Sequence, residues 1–391
     1  MRGSDDMDST HVARDAWLIL LRAPGLGAAA LRTLLERHGD APAALAAARR
    51  GELPRVVEPA CQDWLRAPDP DRIAADRAWL ALPGHALVTC LDADFPALLG
   101  DTPGAPAALF VVGDASRLWW PQVAIVGSRN ASQAGLATAR DFARTLGAAG
   151  FAITSGLAEG IDGAAHQAAL DGGARTIAVL GTGADRVYPE RHRALAARIA
   201  GEGALVSEFS PGTPPRPAQF PRRNRIIAGL TLGTLVVEAG LRSGSLITAR
   251  NATEAGREVF AIPGSIHNPL ARGCHQLIRQ GAKLVETAAE IVEELAPLAE
   301  RLGASLRQRL SESPAPAGAG HVQPVGCTRE TDPEYARLFA ALGTETLGID
   351  QLAERSGLEV ATLSSMLLML ELEGVIVVRH GGYARRIGAP S

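Results

Sequence analysis

Residues 123–162 decide the fold of this chain, and they read VAIVGSRNASQAGLATARDFARTLGAAGFAITSGLAEGID. An apolar run at Val123–Val126 is followed by a helical pattern over Ala134–Leu146 and by a second apolar run at Phe151–Thr154. Strands that are apolar throughout and are joined by a helix are typical of a parallel sheet covered on both faces. The stretch therefore predicts a β-α-β unit.

The same alternation continues on both sides of this unit. Further runs of strand length are Thr176–Leu180, Ala204–Val206, Thr234–Val237 and Val259–Ile262, and the helical patterns near them are Gly163–Leu170, Glu190–Ile199, Ile226–Leu232 and Ser245–Ala255. Ala86–Thr89 and Leu109–Val112 are candidates for edge strands. The fold class predicted for residues 86–300 is α/β, with a Rossmann-like, doubly wound and mostly parallel sheet. Such sheets bind ligands beyond the carboxyl ends of their strands.

Two smaller domains are predicted to flank the sheet. Residues 1–85 are helical, with the turn Pro24–Gly27 between two helices. Residues 301–328 are predicted to be a flexible linker because Pro, Ala, Gly and Ser displace apolar periodicity from Ser311 to Gly326. Residues 329–391 fit a winged helix. Its helical patterns are Tyr335–Leu342, Gly348–Gly357 and Glu359–Gly374, and its hairpin strands are Val375–Val378 and Tyr383–Ile387.

Composition excludes several classes of protein. The 391 residues carry a formal net charge of −3, and Lys283 is the only lysine, so a uniformly basic coat for nucleic acid is excluded. The four cysteines are too far apart for a C-x-x-C metal or disulfide motif, and no metal or cofactor is predicted. No stretch has the pattern of a signal peptide or the length of a membrane span. We expect a soluble, cytoplasmic protein that does not contact a membrane.

The charge is distributed unevenly along the chain. Residues 1–120 hold 12 basic against 16 acidic residues, whereas residues 121–300 hold 18 against 16. The dense basic stretch without acids is Arg216, Arg222, Arg223 and Arg225. A polyanion is therefore predicted to bind there.

Glycine and a hydroxyl residue end three successive strands. The groups are Gly127-Ser128-Arg129, Ser155-Gly156 and Gly181-Thr182. Glycine lets an anion approach the backbone, a helix N-terminus offers free N–H groups, and Arg129 adds a planar fork for phosphate. These groups predict one anion-binding rim, and the alternative is a set of tight turns that bind no ligand. His166, one turn further on, is predicted to be a packing histidine because no metal-binding or triad partner is recognisable.

An arginine cluster beside an aromatic residue forms the next motif. Its predicted site residues are Phe220, Arg223, Asn224 and Arg225, followed after Arg242 by Ser243, Gly244 and Ser245. Positive charge for the backbone and a ring for a base are what single-stranded nucleic acid requires. The alternative is that Arg223 and Arg225 are buried and pair with Glu208 or Glu238.

These motifs, in this order and spacing, resemble the DNA-processing protein A family (DprA, also called Smf) over residues 120–290. The matching segments are GSR, SGLAEGIDGAAH, TIAVLGTGADRVYP, SE, FPRRNRIIAGL, VVEAGLRSGSLITARNATEAGREVFAIPG and GCHQLIRQGAKLV. The resemblance implies a protein of natural transformation that binds single-stranded DNA without strong sequence preference, protects it, and loads the RecA recombinase. It further implies a homodimer through the Rossmann-like domain, no catalytic activity, and DNA contacts from Arg129 and from Arg193 or Arg191 after the Tyr188-Pro189 pair.

The resemblance extends to the flanking domains. The N-terminal segment resembles a sterile-alpha-motif-like or helix-hairpin-helix domain, and its net charge of −4 opposes DNA binding. The candidate recognition helix of the winged domain, Glu359–Glu373, has three acids and no Arg or Lys, so we expect it to bind protein rather than a major groove. This acidic helix also disfavours a winged-helix repressor.

An enzyme on the same fold is the alternative function. The glycine-rich strand ends also resemble phosphoribohydrolases, which cleave nucleoside monophosphates with a P-G-G-x-G-T-x-x-E loop. Residues 238–245 of this chain, EAGLRSGS, replace that loop.

Overall fold

The computed structural model describes residues 2–54, 57–312, 333–342, 347–358, 363, 367, 376–379 and 382–385. Contacts divide the chain into two compact units, residues 1–313 and 314–391. Among the described residues, no helix is both long enough and apolar enough to cross a membrane.

The first unit holds a nine-stranded sheet in the described part of the chain. Its strands are β1 (His85–Thr89), β2 (Ala108–Gly113), β3 (Gln122–Val126), β4 (Ala152–Ser155), β5 (Thr176–Val179), β6 (Ala204–Ser207), β7 (Gly233–Val236), β8 (Glu258–Ala261) and β9 (Lys283–Leu284). Their order is β1-β2-β6-β5-β4-β3-β7-β8-β9. Strands β3 to β9 are parallel, whereas β2 runs antiparallel to both β6 and β1. The predicted fold class is confirmed.

Helices cover both faces of this sheet. They are α1 (Arg2–Arg22), α2 (Ala28–His38), α3 (Ala41–Arg49), α4 (Pro59–Arg66), α5 (Pro70–Leu80), α6 (Ala97–Gly100), α7 (Gln133–Ala148), α8 (Ile161–Asp171), α9 (Arg193–Glu202), α10 (Gln219–Leu230), α11 (Ser245–Glu254), α12 (Arg272–Arg279) and α13 (Ala288–Glu312). The strands bury both faces: Val123 and Ile125 pack with α7, and Ala124 and Val126 pack on the opposite side with Ile226 of α10. Two apolar layers therefore hold the strand ends in place.

Helices α1 to α5 form the predicted N-terminal domain. Leu18, Leu34 and Leu65 are fully buried in its core. The same core includes Phe110 of β2, whose ring lies edge-on to Trp79 of α5 at a centroid distance of 5.8 Å. The helical domain thus packs on the antiparallel edge of the sheet and belongs to the same compact unit.

Residues 301–312 are helical and not part of a linker. Helix α13 continues through residues 301–312, which were predicted to be linker. Ile291, Leu295, Leu298 and Leu302 recur at helical spacing and pack toward the protein, which explains why the helix does not end at residue 300. Residues 313–328 lie outside the described residues.

The second unit has the predicted winged-helix elements in the part that the structure describes. They are α14 (Pro333–Ala341), α15 (Ile349–Ser356), β10 (Ile376–Arg379) and β11 (Gly382–Arg385), with β10 and β11 antiparallel. Leu338, Leu352 and Leu367 are fully buried in one apolar cluster. Most of the predicted third helix, Glu359–Gly374, lies outside the described residues.

The buried ion pair between Arg22 and Asp76 should contribute strongly to the stability of the fold. Asp76 is fully buried, and Arg22 donates to its Oδ1 at 2.6 Å and to the carbonyl of Pro211 at 2.7 Å. Arg22→Ala would leave a buried carboxylate unpaired, and we expect it to lower the free energy of unfolding by about 3–5 kcal/mol. Urea denaturation measures this loss.

The matched control is Arg72→Ala, because Arg72 pairs with Asp69 on the surface. We expect a change of at most about 1 kcal/mol for that variant. Equal losses in the two variants would contradict the importance of the buried pair.

Candidate functional site

The carboxyl ends of β3 and β7 frame the main cleft of the first unit. The chain leaves β3 toward β4, β5 and β6, whereas β7, β8 and β9 lie on its other side, so the sheet reverses its order between β3 and β7. Ligands bind at such a point in open α/β sheets. A cleft of about 670 Å³ lies there. Nine of the predicted site residues line it: Gly127, Ser128, Arg129, Phe220, Arg223, Asn224, Ser243, Gly244 and Ser245.

Two exposed arginines line the cleft. Arg129 follows β3, and Arg242 lies in the loop before α11. Among the residues that the structure describes, no acidic side chain forms an ion pair with either of them. Their positive charge is thus available to a bound anion.

Arg223, in contrast, is buried at the base of the cleft. Its side chain donates to the carbonyl of Gly156 at 2.7 Å, to the carbonyl of Val179, and to Oδ1 of Asn224 at 3.1 Å. Burial lowers the pKa of Arg223 to about 10, and the Asp162 carboxylate opposes this shift. Its hydrogen bonds go to the protein itself, so Arg223 supports the strand ends from beneath.

Asp162 is the acidic partner of this guanidinium. Its Oδ2 accepts from the backbone N–H of Gly156 at 3.1 Å and of Ala158 at 3.3 Å. Burial raises the pKa of Asp162, and the charge of Arg223 opposes that rise. The pair fixes the loop after β4 against α10.

The N-terminus of α7 is not free for an anion. Ser132 caps the helix through the Gly135 N–H at 3.0 Å, and Glu238 accepts from both Oγ (2.6 Å) and N–H (2.8 Å) of Ser132. The N–H of Ser128 donates to the Glu238 carbonyl at 2.7 Å. The prediction that free N–H groups after β3 bind an anion is therefore wrong, because a carboxylate of the protein occupies that position.

The hydroxyls of the predicted rim serve the sheet. Ser155 is fully buried and donates to the carbonyl of Ile125 at 2.6 Å. Thr182 is also buried and donates to the carbonyl of Arg186 at 2.5 Å. The prediction that three strand ends share one anion-binding rim is thus wrong for these two side chains, because their hydrogen bonds tie neighbouring backbone segments together.

Gly181 has a different function at the end of its strand. A Cβ atom at this position would lie 2.7 Å from Cδ1 of Phe220, so only glycine leaves room for the ring. The Tyr188 ring lies beside Phe220 at a centroid distance of 5.5 Å, and the Arg129 guanidinium lies 5.7 Å from the Phe220 centroid. Two aromatic rings and a cation therefore meet at one end of the cleft.

The remaining predicted arginines lie outside the cleft. Arg225 and Arg222 both pair with the buried carboxylate of Glu208, so the alternative of a structural arginine holds for Arg225. Arg191 pairs with Glu159 at 2.5 Å, and Arg193 pairs with Glu190. The basic stretch 216–225 thus contributes only Arg223 to the lining, and that side chain is buried.

His166 is confirmed as a packing residue. It is fully buried, its Nδ1 lies 2.7 Å from Oγ1 of Thr176, and Thr176 donates onward to the carbonyl of Ile153. Burial lowers the pKa of His166 to about 3, with further lowering from His192 and Arg223. The imidazole is neutral at physiological pH.

Three of the cleft-lining residues that the predicted set omits are polar or aromatic. These are Arg242, Tyr188 and Asp162. Tyr188 and Arg242 lie in the loops that follow β5 and β7, as Arg129 follows β3, so their position after a strand could have identified them. Asp162 requires knowledge of Arg223, 61 positions later in the chain.

Family profiles match the chain in three segments. Residues 86–296 match the profile described as DNA recombination-mediator protein A, residues 323–382 match the DprA winged helix domain, and residues 12–78 match the DprA-like N-terminal HHH domain. The chain belongs to the DNA recombination-mediator protein A family. It is 45% identical to Protein Smf of Escherichia coli strain K12 over 80% of each chain.

Solved structures of this DNA recombination-mediator protein A family have the same fold. The DNA processing protein A of Streptococcus pneumoniae superposes with a TM-score of 0.64 at 36% identity, covering 72% of this chain and 97% of that protein. The DNA processing protein A of Helicobacter pylori, described in terms of its single-stranded DNA binding mode, has a TM-score of 0.50 at 26% identity, covering 55% and 96%.

The buried Arg223 and the exposed Arg129 should differ in how much they contribute to the stability of the fold. Arg223→Ala would leave the carbonyls of Gly156 and Val179 without their donor and would remove the positive charge that opposes Asp162, and we expect a loss of about 3 kcal/mol in the free energy of unfolding. Arg129→Ala removes an exposed side chain, and we expect a change within about 0.5 kcal/mol. Urea denaturation of both variants measures the difference, and an equally mild effect of Arg223→Ala would contradict its structural function.

Proposed function

We propose that the cleft binds single-stranded DNA, with Arg129 and Arg242 contacting phosphates. The observation that carries this proposal is the pair of exposed arginines, unpaired by any acidic side chain of the described residues, beside the exposed ring of Tyr188 and the ring of Phe220. Cations for the backbone and rings for the bases are the combination that binds single strands with little sequence preference.

The distribution of charge supports a short footprint. Arg191, Arg193, Arg222 and Arg225 are all paired with carboxylates. The cleft thus grips a few nucleotides instead of presenting a broad basic surface. Arg191 and Arg193 stay predictions for a strand that extends beyond the cleft along α9.

We further propose that the protein is not an enzyme. The phosphoribohydrolases of the alternative perform their chemistry with the glutamate that ends their P-G-G-x-G-T-x-x-E loop, and residues 238–245 of this chain, EAGLRSGS, replace that loop. Here both carboxylate oxygens of Glu238 accept hydrogen bonds from Ser132, which caps α7. A glutamate held in this way supports the fold, and the arrangement favours binding over catalysis.

The binding proposal predicts a salt dependence. Contacts to about three phosphates give a log–log slope of affinity against salt near −2, from about −0.7 per phosphate. Arg129→Ala and Arg242→Ala should each weaken retention of a labelled oligothymidine and reduce the slope to about −1.4, and the double variant should reduce it to about −0.7. Filter binding at several salt concentrations measures both quantities.

The control is Arg144→Ala, which also removes one positive charge. Arg144 is exposed and pairs with Asp141 on α7. We expect its slope and affinity to equal those of the wild type. Unchanged binding in the Arg129→Ala and Arg242→Ala variants would overturn the proposed site.

The family resemblance supports two further proposals. We propose that the bound strand is protected and passed to the RecA recombinase, and that the protein acts as a homodimer through its α/β domain. The winged-helix unit, with its acidic candidate helix, is proposed to bind a protein partner.

RecA loading has a direct test. RecA hydrolyses ATP when it forms filaments on single-stranded DNA, and a single-strand-binding protein that covers the DNA slows this process. Adding the wild-type protein should increase ATP hydrolysis on covered DNA, and Arg129→Ala should not, because the mediator must hold the strand. No increase with the wild type would contradict the loading function while leaving DNA binding intact.

A further inference from the structure

Tyr188 is an exposed aromatic ring at the edge of the cleft. Its exposed fraction is 47%, although large apolar rings are usually covered in a folded protein. Phe220 lies against it at a centroid distance of 5.5 Å and an angle of 42°. This spacing is that of rings already in contact, so no third ring fits between them. A flat ligand would have to stack on the open face of Tyr188.

A small second cavity lies beside this ring. Its volume is about 110 Å³, and its lining includes Tyr188, Phe220, Gly156, Glu159 and Arg129. Arg129, Tyr188 and Phe220 line the main cleft as well, so the two cavities share one wall. A ligand in the small cavity is therefore close to Arg129.

Gly156 and Arg223 also line the small cavity. A Cβ atom on Gly156 would lie 2.4 Å from Nη2 of Arg223, so the absence of a side chain at this position lets the buried guanidinium lie directly under the loop. A lining that combines aromatic rings with the Arg129 cation fits a planar aromatic group that is attached to a phosphate.

We propose that one nucleobase of the bound strand enters this cavity and stacks on Tyr188, while an adjacent phosphate contacts Arg129. The inference rests on the proposed DNA binding and adds to it a base-binding residue. Because every base has a π-face, stacking here would hold a base of any identity.

An abasic strand separates stacking from phosphate contact. We would compare wild type and Tyr188→Ala with an oligothymidine and with an oligonucleotide of the same length in which abasic spacers replace the bases. Tyr188→Ala should weaken binding of oligothymidine about tenfold and leave binding of the abasic strand unchanged. Its salt slope should equal that of the wild type, because the phosphate contacts remain.

Tyr188→Phe is the matched control, since it keeps the ring and removes only the hydroxyl. It should bind oligothymidine as the wild type does, and this result would exclude a loss caused by the hydroxyl alone. Wild-type affinity of Tyr188→Ala for oligothymidine would overturn the inference. Equal losses on both oligonucleotides, or a reduced salt slope, would also overturn it, because Tyr188 would then act through the phosphate contacts.

A failure of the proposed DNA binding can be distinguished from a failure of the stacking inference. If the wild type does not retain oligothymidine, the proposed DNA binding fails and the inference fails with it. If the wild type binds and Arg129→Ala weakens binding, but Tyr188→Ala does not, only the stacking inference fails.

Discussion

The buried guanidinium of Arg223 is the constraint on which the cleft depends. It joins the carbonyls at the ends of β4 and β5, while Asp162 at the start of α8 supplies the opposing charge. Its neighbour Asn224 donates to the carbonyl of Gly244, in the loop before α11, at 3.1 Å. A charge removed from water requires such complete pairing. Helix α10, with Phe220 near its start, is thereby held against several loops at once.

This constraint also fixes the positions of the groups that line the cleft. The ring of Phe220 lies over Gly181, and Arg129 lies within 6 Å of that ring. Preorganised groups lose less conformational freedom on binding, so more of each contact appears as affinity. Few side chains would therefore suffice for the proposed binding of a short stretch of strand.

The arginines near the cleft add little net positive charge to its surface, in keeping with the net charge of −3 of the whole chain. Most arginines near the cleft neutralise a nearby carboxylate, as Arg222 and Arg225 do for Glu208. Counting basic residues therefore overestimates the positive potential of this surface. Arg129 and Arg242 line the cleft and lack such partners among the described residues.

The sequence predicts the fold well because the strands are short, apolar and separated by helical patterns. The same signal predicts β1 and β2, although β2 lies inside the sheet, and it misses the two-residue edge strand β9. The sequence predicts Arg129 because a glycine marks the strand end. The sequence does not show that Arg223 is buried whereas Arg222 forms an ion pair at the surface. The two residues are adjacent in α10, and only the directions of their side chains differ. The sequence also cannot predict the hydrogen bonds between Glu238 and Ser132, the residue that caps α7, because the two residues are 106 positions apart. The sequence predicts too early an end for helix α13, because the linker-like composition after residue 310 obscures the helical spacing of the leucines before it.

The contact between Glu238 and Ser132 has a consequence for small metabolites. Mononucleotides and dinucleotides gain much of their affinity for related folds from phosphate at a helix N-terminus. In this protein the carboxylate of Glu238 holds that position at the start of α7, so a phosphate there would meet negative charge. In the proposed binding, a strand places phosphates at both Arg129 and Arg242, and its second contact forms at high effective concentration. The proposed site would therefore favour a strand over its own building blocks.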